Sequence, residues 1–319
     1  MGCSRMPGWL TSPEAALSLK MSEPHVVWPH KKRPRQRRHI QGTIVIKPIS
    51  RSPTPTEIAD YRRDGVVLLR SIIAEDSIAI LREGVEVATQ SFPEKRRDMS
   101  RGRGGAYALN FIWRHVKQYE IFIKESGISR LAANFLGIDA VVFVEDELFV
   151  KSPGVYAPTP WHHDRPYYPV NGGSMCSVWI PLNPIEENSA LELIAGSHQW
   201  GSEFLPLNFR KDGVVPGANE DHLPDGVQLL PDIEANRDKY RIVKWGMTPG
   251  DLLVFDGLTV HGNRDNQSQH TSQRVSFRFF SPDAAYHPTR YPWTRPLSEY
   301  GIDEPTPGIR LSGEDFPTL

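Results

Sequence analysis

Apolar and polar positions recur along this chain with two different periods, and the change of period divides it. The first part reads mainly as helices. Thr54 stands as an N-cap with Glu57 three residues on and Pro55 between them, which predicts a helix that Gly65 stops. Val66-Val67-Leu68-Leu69 then reads as a buried strand. Ile78, Leu81, Val85 and Ala88, at spacings of three and four, mark one face of a second helix, and a third is expected around Ile128 to Leu136, ending at Gly137. Ahead of them, Thr43-Ile44-Val45-Ile46 predicts a short strand where order begins. Arg101-Gly102-Arg103-Gly104-Gly105 is too rich in glycine for an element and too basic for a core, so it is expected as a loop. Its glycines do not read as a nucleotide loop, because no strand leads into it and no phosphate-binding helix clearly follows.

From about Ala140 the period shortens. Short strands rich in Val, Phe, Leu and Trp are expected at Ala140 to Val144, Leu148 to Lys151, Cys176 to Leu182 and Leu191 to Ile194. Leu252 to Phe255, Thr259 to His261 and Arg274 to Phe280 follow, and the pattern is that of an antiparallel sandwich or barrel. Asn208 to Asn236 has little periodicity and much Gly, Pro and Asp, and is expected as a long insertion over one mouth of the barrel. Helices that lead and strands that follow suit a mainly β fold with flanking helices, packed outside one sheet of a double-stranded β-helix, the cupin-like jelly roll. One such domain is expected over 43–295, between a basic tail at 1–42 and a C-terminal tail at 296–319.

Composition narrows the classes. A chain of 319 residues, 39% hydrophobic and 10% aromatic, has the material for a core and is not a disordered chain. Its formal net charge of -1 gives no global reason to expect nucleic acid or an anionic membrane as partner. No apolar run approaches the roughly 20 residues of a membrane helix. With only Cys3 and Cys176, a disulfide framework is not expected and a reducing, cytoplasmic setting is. The basic run His30 to His39 lacks acidic partners and apolar periodicity and is expected as a disordered tail, with a nuclear or organellar address as the alternative. Met21 could equally be the first residue.

The candidate chemistry lies in two stretches. In Thr159-Pro160-Trp161-His162-His163-Asp164, His162 and Asp164 share one face of an extended strand, and His163 points the other way. His261, after Leu252 to Phe255 and a turn at Asp256-Gly257, is placed to supply a third ligand from across the barrel. Two imidazoles and one carboxylate on one face of an ion leave the other face open, which suits iron(II). Zinc tolerates the same trio, but its structural sites are closed by four ligands, and Cys176 has no CxxC partner. Arg274, Ser276 and Arg278 alternate with Val275, Phe277 and Phe279, so the strand has a polar and an apolar face. An arginine pointing into a barrel needs an anion, and a small dicarboxylate provides one, gripped by Arg274 with a further hydrogen bond from Ser276. The alternative is an internal salt bridge to Asp251 or Asp256.

Five segments together carry a family resemblance: YRRDGVVLLRSII from Tyr61, LFVKSPG from Leu148, TPWHHD from Thr159, VWIPLNPIEENSALELIAGSH from Val178, and PGDLLVFDGLTVHG from Pro249 through Arg274. From about Thr56 to Phe280 the chain resembles the phytanoyl-CoA dioxygenase family of iron(II)- and 2-oxoglutarate-dependent oxygenases. The resemblance implies His162, Asp164 and His261 as iron ligands, Arg274 on the distal carboxylate of 2-oxoglutarate, and Lys151 and Trp179 lining the cosubstrate pocket. It also implies dioxygen as cosubstrate, release of succinate and carbon dioxide, and hydroxylation as the default outcome. The presence of Asp164 argues against halogenation, since related halogenating enzymes lack that carboxylate. The substrate is expected to be a small molecule, with Arg103, Tyr107, Asn110, Arg114, Tyr167, Tyr168 and Arg278 as its candidate contacts. Acyl-CoA, amino acids and secondary metabolites all fit. Two alternatives stand beside this reading. One is a metal-dependent enzyme of the same barrel without 2-oxoglutarate, such as an isomerase; the other is a non-catalytic metal-binding module.

Overall fold

A computed structural model describes residues 44–207, 219, 221–264, 269–288, 291, 293, 294 and 296–319. The basic run, Cys3 and most of the first half of the expected 208–236 insertion lie outside the described residues. Helix α1, Pro55–Asp64, begins as its capping box requires: Glu57 N donates to the Thr54 hydroxyl at 3.2 Å, and Thr54 N donates to Glu57 Oε2 at 2.7 Å. Gly65, at φ 73°, ends it in a left-handed conformation that other residues adopt at a cost. Helix α2, Glu75–Ser91, buries Ile78, Leu81, Val85 and Ala88 as their spacing demands. Helix α3, Lys117–Glu125, was not expected, although Tyr119, Phe122 and Ile123 form its buried face; at nine residues it is too short for periodicity to stand out. Helix α4 spans Ile128–Leu136 and closes at Gly137.

The expected strand at Thr43 to Ile46 is not found over the described residues 44–46. Ile46 still enters the core, while Lys47 N donates to the Ser77 hydroxyl and Lys47 O accepts from it, so a side chain of α2 takes the place of a strand partner.

The larger sheet has seven strands in the order Val66–Leu69, Leu252–Asp256, Met175–Pro181, Ser272–Phe280, Val142–Lys151, Ala106–Asn110 and Arg97–Asp98, every pair antiparallel. The smaller has four, Ile242–Val243, Glu192–Ile194, His261–Asn263 and Thr159–His162, also antiparallel. Period-two alternation sends Val178, Ile180, Val254, Val275, Phe277 and Leu148 to the outer face of the large sheet, where they join one core with the four helices. Trp179, Leu253 and Phe255 point inward and meet Leu193 and Ala190 from the smaller sheet's side. Two facing sheets with helices outside the larger make the double-stranded β-helix.

Val142–Lys151 is one strand of ten residues, where two had been expected. Glu145-Asp146-Glu147 reads as a break, yet all three are buried, because their partners come from distant parts of the chain. The Arg101–Gly105 loop proves to be the turn of a hairpin joining two unexpected strands, Arg97–Asp98 and Ala106–Asn110. Residues 296–319, expected as a tail, are woven into the fold. Leu297, Ile302, Leu311 and Phe316 pack with Val142, Val144 and Phe280, and Leu319 N donates to Val141 O at 2.9 Å. The described part of the insertion backs the smaller sheet: Ile233 packs beside Trp161 and Val260, and Trp161 Nε1 donates to Glu234 Oε1 at 2.8 Å. No helix among the described residues is long and apolar enough to cross a membrane.

Candidate active site

Two neighbouring strands of the smaller sheet set His162 directly opposite His261, with ring centroids 4.2 Å apart. Each ring is held by the backbone carbonyl two residues before it. His162 Nδ1 lies 2.8 Å from Pro160 O and His261 Nδ1 lies 2.9 Å from Thr259 O; since a carbonyl only accepts, each Nδ1 carries the proton and each Nε2 presents a lone pair. Both Nε2 atoms stand 3.7 Å from Asp164 Oδ1. The other carboxylate oxygen, Oδ2, accepts from the Ser177 hydroxyl at 2.7 Å and lies 3.4 Å from Arg278 Nε. One oxygen of Asp164 is thereby tethered to the large sheet and the other turned to the imidazoles. The three ligand atoms lie within 4.8 Å of one another.

Electrostatics favours the protonation states that a divalent ion needs. Burial, with His162 alongside, pushes His261 down to about 3, which keeps it neutral. Burial works against the charge on Asp164, but Arg278, His162 and His261 outweigh it and hold the carboxyl well below the usual range. Two ring nitrogens and one anionic oxygen on one side of a buried point fit a metal ion whose remaining positions stay open.

Across from this trio, Arg274 and Ser276 project from the inner face of Ser272–Phe280. The Arg274 guanidinium lies 5.6 Å from the Trp179 ring centre, and no carboxylate among the described residues pairs with it. Burial alone lowers it to about 10, with no anion to restore it. Asp251 and Asp256 are otherwise engaged. Asp251 accepts from Arg70 Nη1, Ser71 N and Thr248 N, each at 2.9 Å, and Asp256 accepts from Leu258 N at 2.8 Å. The Ser276 hydroxyl is likewise buried without a partner. A guanidinium and a hydroxyl on one face, both lacking an acceptor, form a receptor for an anion, because leaving such a charge buried and unpaired costs several kcal/mol. Lys151 lies on the same face, opposite Ser272 and half-buried.

The other candidate contacts separate into near and far. Tyr167 sets its ring edge-on to His162, centroids 5.8 Å apart, with its hydroxyl donating to Leu207 O. Asn110 Nδ2 and the Tyr168 hydroxyl both donate to Glu145, at 2.6 and 2.5 Å. Arg278 pairs with Glu147 and Asp164. Three are not brought to the site. Tyr107 belongs to the outer face beneath Arg96, Arg103 is exposed beside Tyr156, and Arg114 anchors the C-terminal segment through Asp315 and Gly301 O. His163 points away as its parity requires; its Nε2 accepts from Phe204 N at 2.8 Å, and burial pushes it down to about 4. Ser177, Glu145, Glu147 and Arg97 were not foreseen. Parity with Trp179 places Ser177 on the inner face, but nothing local says that it meets Asp164.

The profile of the phytanoyl-CoA dioxygenase family matches residues 61–275, a span that holds the whole trio and Arg274. The chain belongs to the phytanoyl-CoA dioxygenase family. It is accordingly a non-haem iron- and 2-oxoglutarate-dependent oxygenase by class. Ectoine dioxygenase of Bordetella parapertussis is 26% identical over 248 residues, covering 74% of this chain and 78% of that protein. Peroxisomal phytanoyl-CoA dioxygenase of Homo sapiens is 28% identical over 130 residues, 40% of this chain and 35% of that protein. Among solved structures, the non-heme alpha ketoglutarate dependent carbocyclase SnoK from nogalamycin biosynthesis superposes with a TM-score of 0.68 at 20% identity, over 86% of this chain and 99% of that one. The epimerase SnoN, in complex with Fe3+, alpha ketoglutarate and nogalamycin RO, superposes with a TM-score of 0.64 at 21% identity, over 82% and 97%. At such identities the structural likeness carries the fold of this phytanoyl-CoA dioxygenase family member and not its substrate.

Proposed function

We propose that this protein oxidises an unactivated C–H bond of a small organic substrate with dioxygen and 2-oxoglutarate, releasing succinate and carbon dioxide, with hydroxylation as the default outcome. The observation that carries the reading is the buried, unpaired Arg274 with Ser276 beside it, on the face opposite the His162, Asp164 and His261 trio. Those three would hold iron(II). Arg274 would take the distal carboxylate of 2-oxoglutarate through two parallel hydrogen bonds, Ser276 would donate a third, and Trp179 and Lys151 would flank it. Bound together, iron(II) and 2-oxoglutarate supply the oxidising power that dioxygen delivers to the substrate.

The chain's own contribution is arrangement. Pro160 O and Thr259 O engage Nδ1 of both imidazoles, which turns each Nε2 toward the place an ion would occupy. Ser177 and Arg278 engage Oδ2 of Asp164 and so orient Oδ1 toward the imidazoles. Asp164 fills the position that halogenation would leave to chloride. The names of the relatives point to different substrates, ectoine and phytanoyl-CoA, and the solved neighbours to ring formation and epimerisation, so they favour the reaction class over any one outcome. An enzyme of the same barrel that does not use 2-oxoglutarate has no need of an uncompensated guanidinium at Arg274.

The test is an untargeted metabolite screen in which protein reconstituted anaerobically with iron(II) and 2-oxoglutarate is exposed to air with cell extract. Succinate should rise in step with the loss of one compound and the gain of a product changed by oxidation. Succinate that never exceeds the protein-free control, with iron shown to be bound, would reject the reading.

A further inference from the structure

The inner face of the large sheet carries a pair of guanidiniums besides Arg274, those of Arg97 and Arg278. Arg97 and Arg278 both bind Glu147: Arg97 Nη2 donates to Oε1, and Arg278 Nη2 donates to Oε2 at 3.2 Å. Arg278 continues to Asp164, its Nε 3.4 Å from Oδ2, so an alternating row of charges runs from Arg97 to the carboxylate of the trio. The row is graded in exposure. The Arg97 side chain retains 23% of its surface and that of Arg278 only 6%, so the outer end is the one a dissolved molecule meets first.

Donors outnumber acceptors in this row. Arg97 Nε and Arg278 Nη1 are buried with no hydrogen-bond partner, the condition also seen at Arg274 Nε and Ser276 Oγ. Among the described residues Glu147 is the one carboxylate hydrogen-bonded to both guanidiniums, and Glu145 beside them already accepts from Asn110 and Tyr168. Two-oxoglutarate does not fill this gap. Arg274 and Arg278 are four residues apart on one strand, about 13 Å between Cα atoms, and their guanidiniums have separate partners, Trp179 for the one and Glu147 with Asp164 for the other. A five-carbon diacid held at Arg274 and directed to the trio leaves Arg97 Nε and Arg278 Nη1 without an acceptor, although both guanidiniums have carboxylate partners.

We propose that Arg97 and Arg278, cross-linked by Glu147, bind a carboxylate of the substrate, and that the enzyme therefore acts on a small organic acid. A planar two-oxygen anion is the ligand that suits this pair, since one oxygen would accept from Arg97 Nε and the other from Arg278 Nη1, the donors that Glu147 and Asp164 leave over. The same wall disfavours a long hydrocarbon lying beside the metal, because it would leave those buried donors without acceptors. This substrate class rests on the oxygenase reading above. Asn110 and Tyr168 then act through Glu145 as positioning residues.

The experiment uses full-length protein loaded with iron(II) and 2-oxoglutarate, and a library in which each small amino, hydroxy or cyclic acid is matched by its methyl ester and its amide, with acyl-CoA thioesters as a further arm. Succinate release should be stimulated by one or more acids and not by their esters, amides or the thioesters. For the acid so found, Arg97→Gln should raise KM about tenfold or more, and Arg97→Lys should recover part of that loss. Anaerobic calorimetry of the same acid into protein with manganese(II) and 2-oxoglutarate should show the same weakening without turnover. Arg96→Gln is the control: its neighbour in sequence lies over Tyr107 on the outer face and should leave KM unchanged. Stimulation by esters or thioesters as strong as by acids, an unaltered KM in Arg97→Gln, or no acid that stimulates at all would each overturn the proposal. Tight binding of 2-oxoglutarate in the same calorimeter would show that the oxygenase reading survives such a failure.

Discussion

The strand Ser272–Phe280 presents two faces that are equally withdrawn from water and otherwise opposite. On the outer face Val275, Phe277 and Phe279 are fully buried, and Phe277 stacks on Phe122 of α3 with ring centroids 5.6 Å apart. On the inner face Arg274, Ser276 and Arg278 are 8%, 1% and 5% exposed. Val275, Phe277 and Phe279 join the apolar core shared with the helices, whereas the inner side chains include donors with no acceptor. Neighbours one residue apart thus do different work. The outer face holds the sheet to the helices, and the inner one keeps binding capacity in reserve at some cost in stability.

Substitutions on the two sides should separate these roles. The largest effect is expected at the trio, where His261→Ala removes one of the three groups proposed to hold iron: iron-dependent succinate release should fall to background while the melting temperature of metal-free protein stays within a few degrees of wild type. Full activity in His261→Ala, read with measured iron content, would break the assignment. Next comes Phe277→Ala, which should cost about 3–5 kcal/mol of stability in urea titrations while leaving kcat/KM per folded molecule nearly unchanged. Ser276→Ala, one position away, should do the reverse.

A smaller effect sharpens the comparison from its exception. Asp146 lies on the apolar side, opposite Phe277, where its Oδ1 accepts from Trp113 N at 3.0 Å. Burial pushes its carboxyl up from 3.8 to about 8. Its folded-state affinity for a proton therefore exceeds the unfolded one, so the stability linked to this proton is full below about 3.8 and is lost as pH rises through about 8. Asp146→Asn keeps an acceptor for Trp113 and has no proton to lose. Across that window the wild-type melting temperature should fall relative to the variant's, and parallel curves would mean that Asp146 stays charged when buried.

What could be read from the sequence followed from how local each signal is. The Thr54 capping box, the Gly65 stop and the alternation from Arg274 to Phe280 are complete within a few residues, and each reappears in the structure. The continuous strand Val142–Lys151 was hidden because Glu145, Asp146 and Glu147 look like a polar interruption until Asn110, Trp113 and Arg278 arrive from elsewhere to satisfy them. The trio and Arg274 were accessible through spacing and family likeness together. Ser177 and Arg97 were not, since their meaning lies wholly in contacts with Asp164 and Glu147. Arg278 was read with the right parity, but its contacts with Glu147 and Asp164 could not be read from its own strand.

The most direct test of the central claim is calorimetric titration of 2-oxoglutarate into anaerobic, manganese(II)-loaded protein, comparing wild type with Arg274→Ala and Arg274→Lys. The account predicts one site in the wild type, binding weakened roughly tenfold to hundredfold in Arg274→Ala, and partial recovery in Arg274→Lys. An Arg274→Ala protein that binds 2-oxoglutarate as tightly as wild type would contradict it, and would move the anion site to another cation.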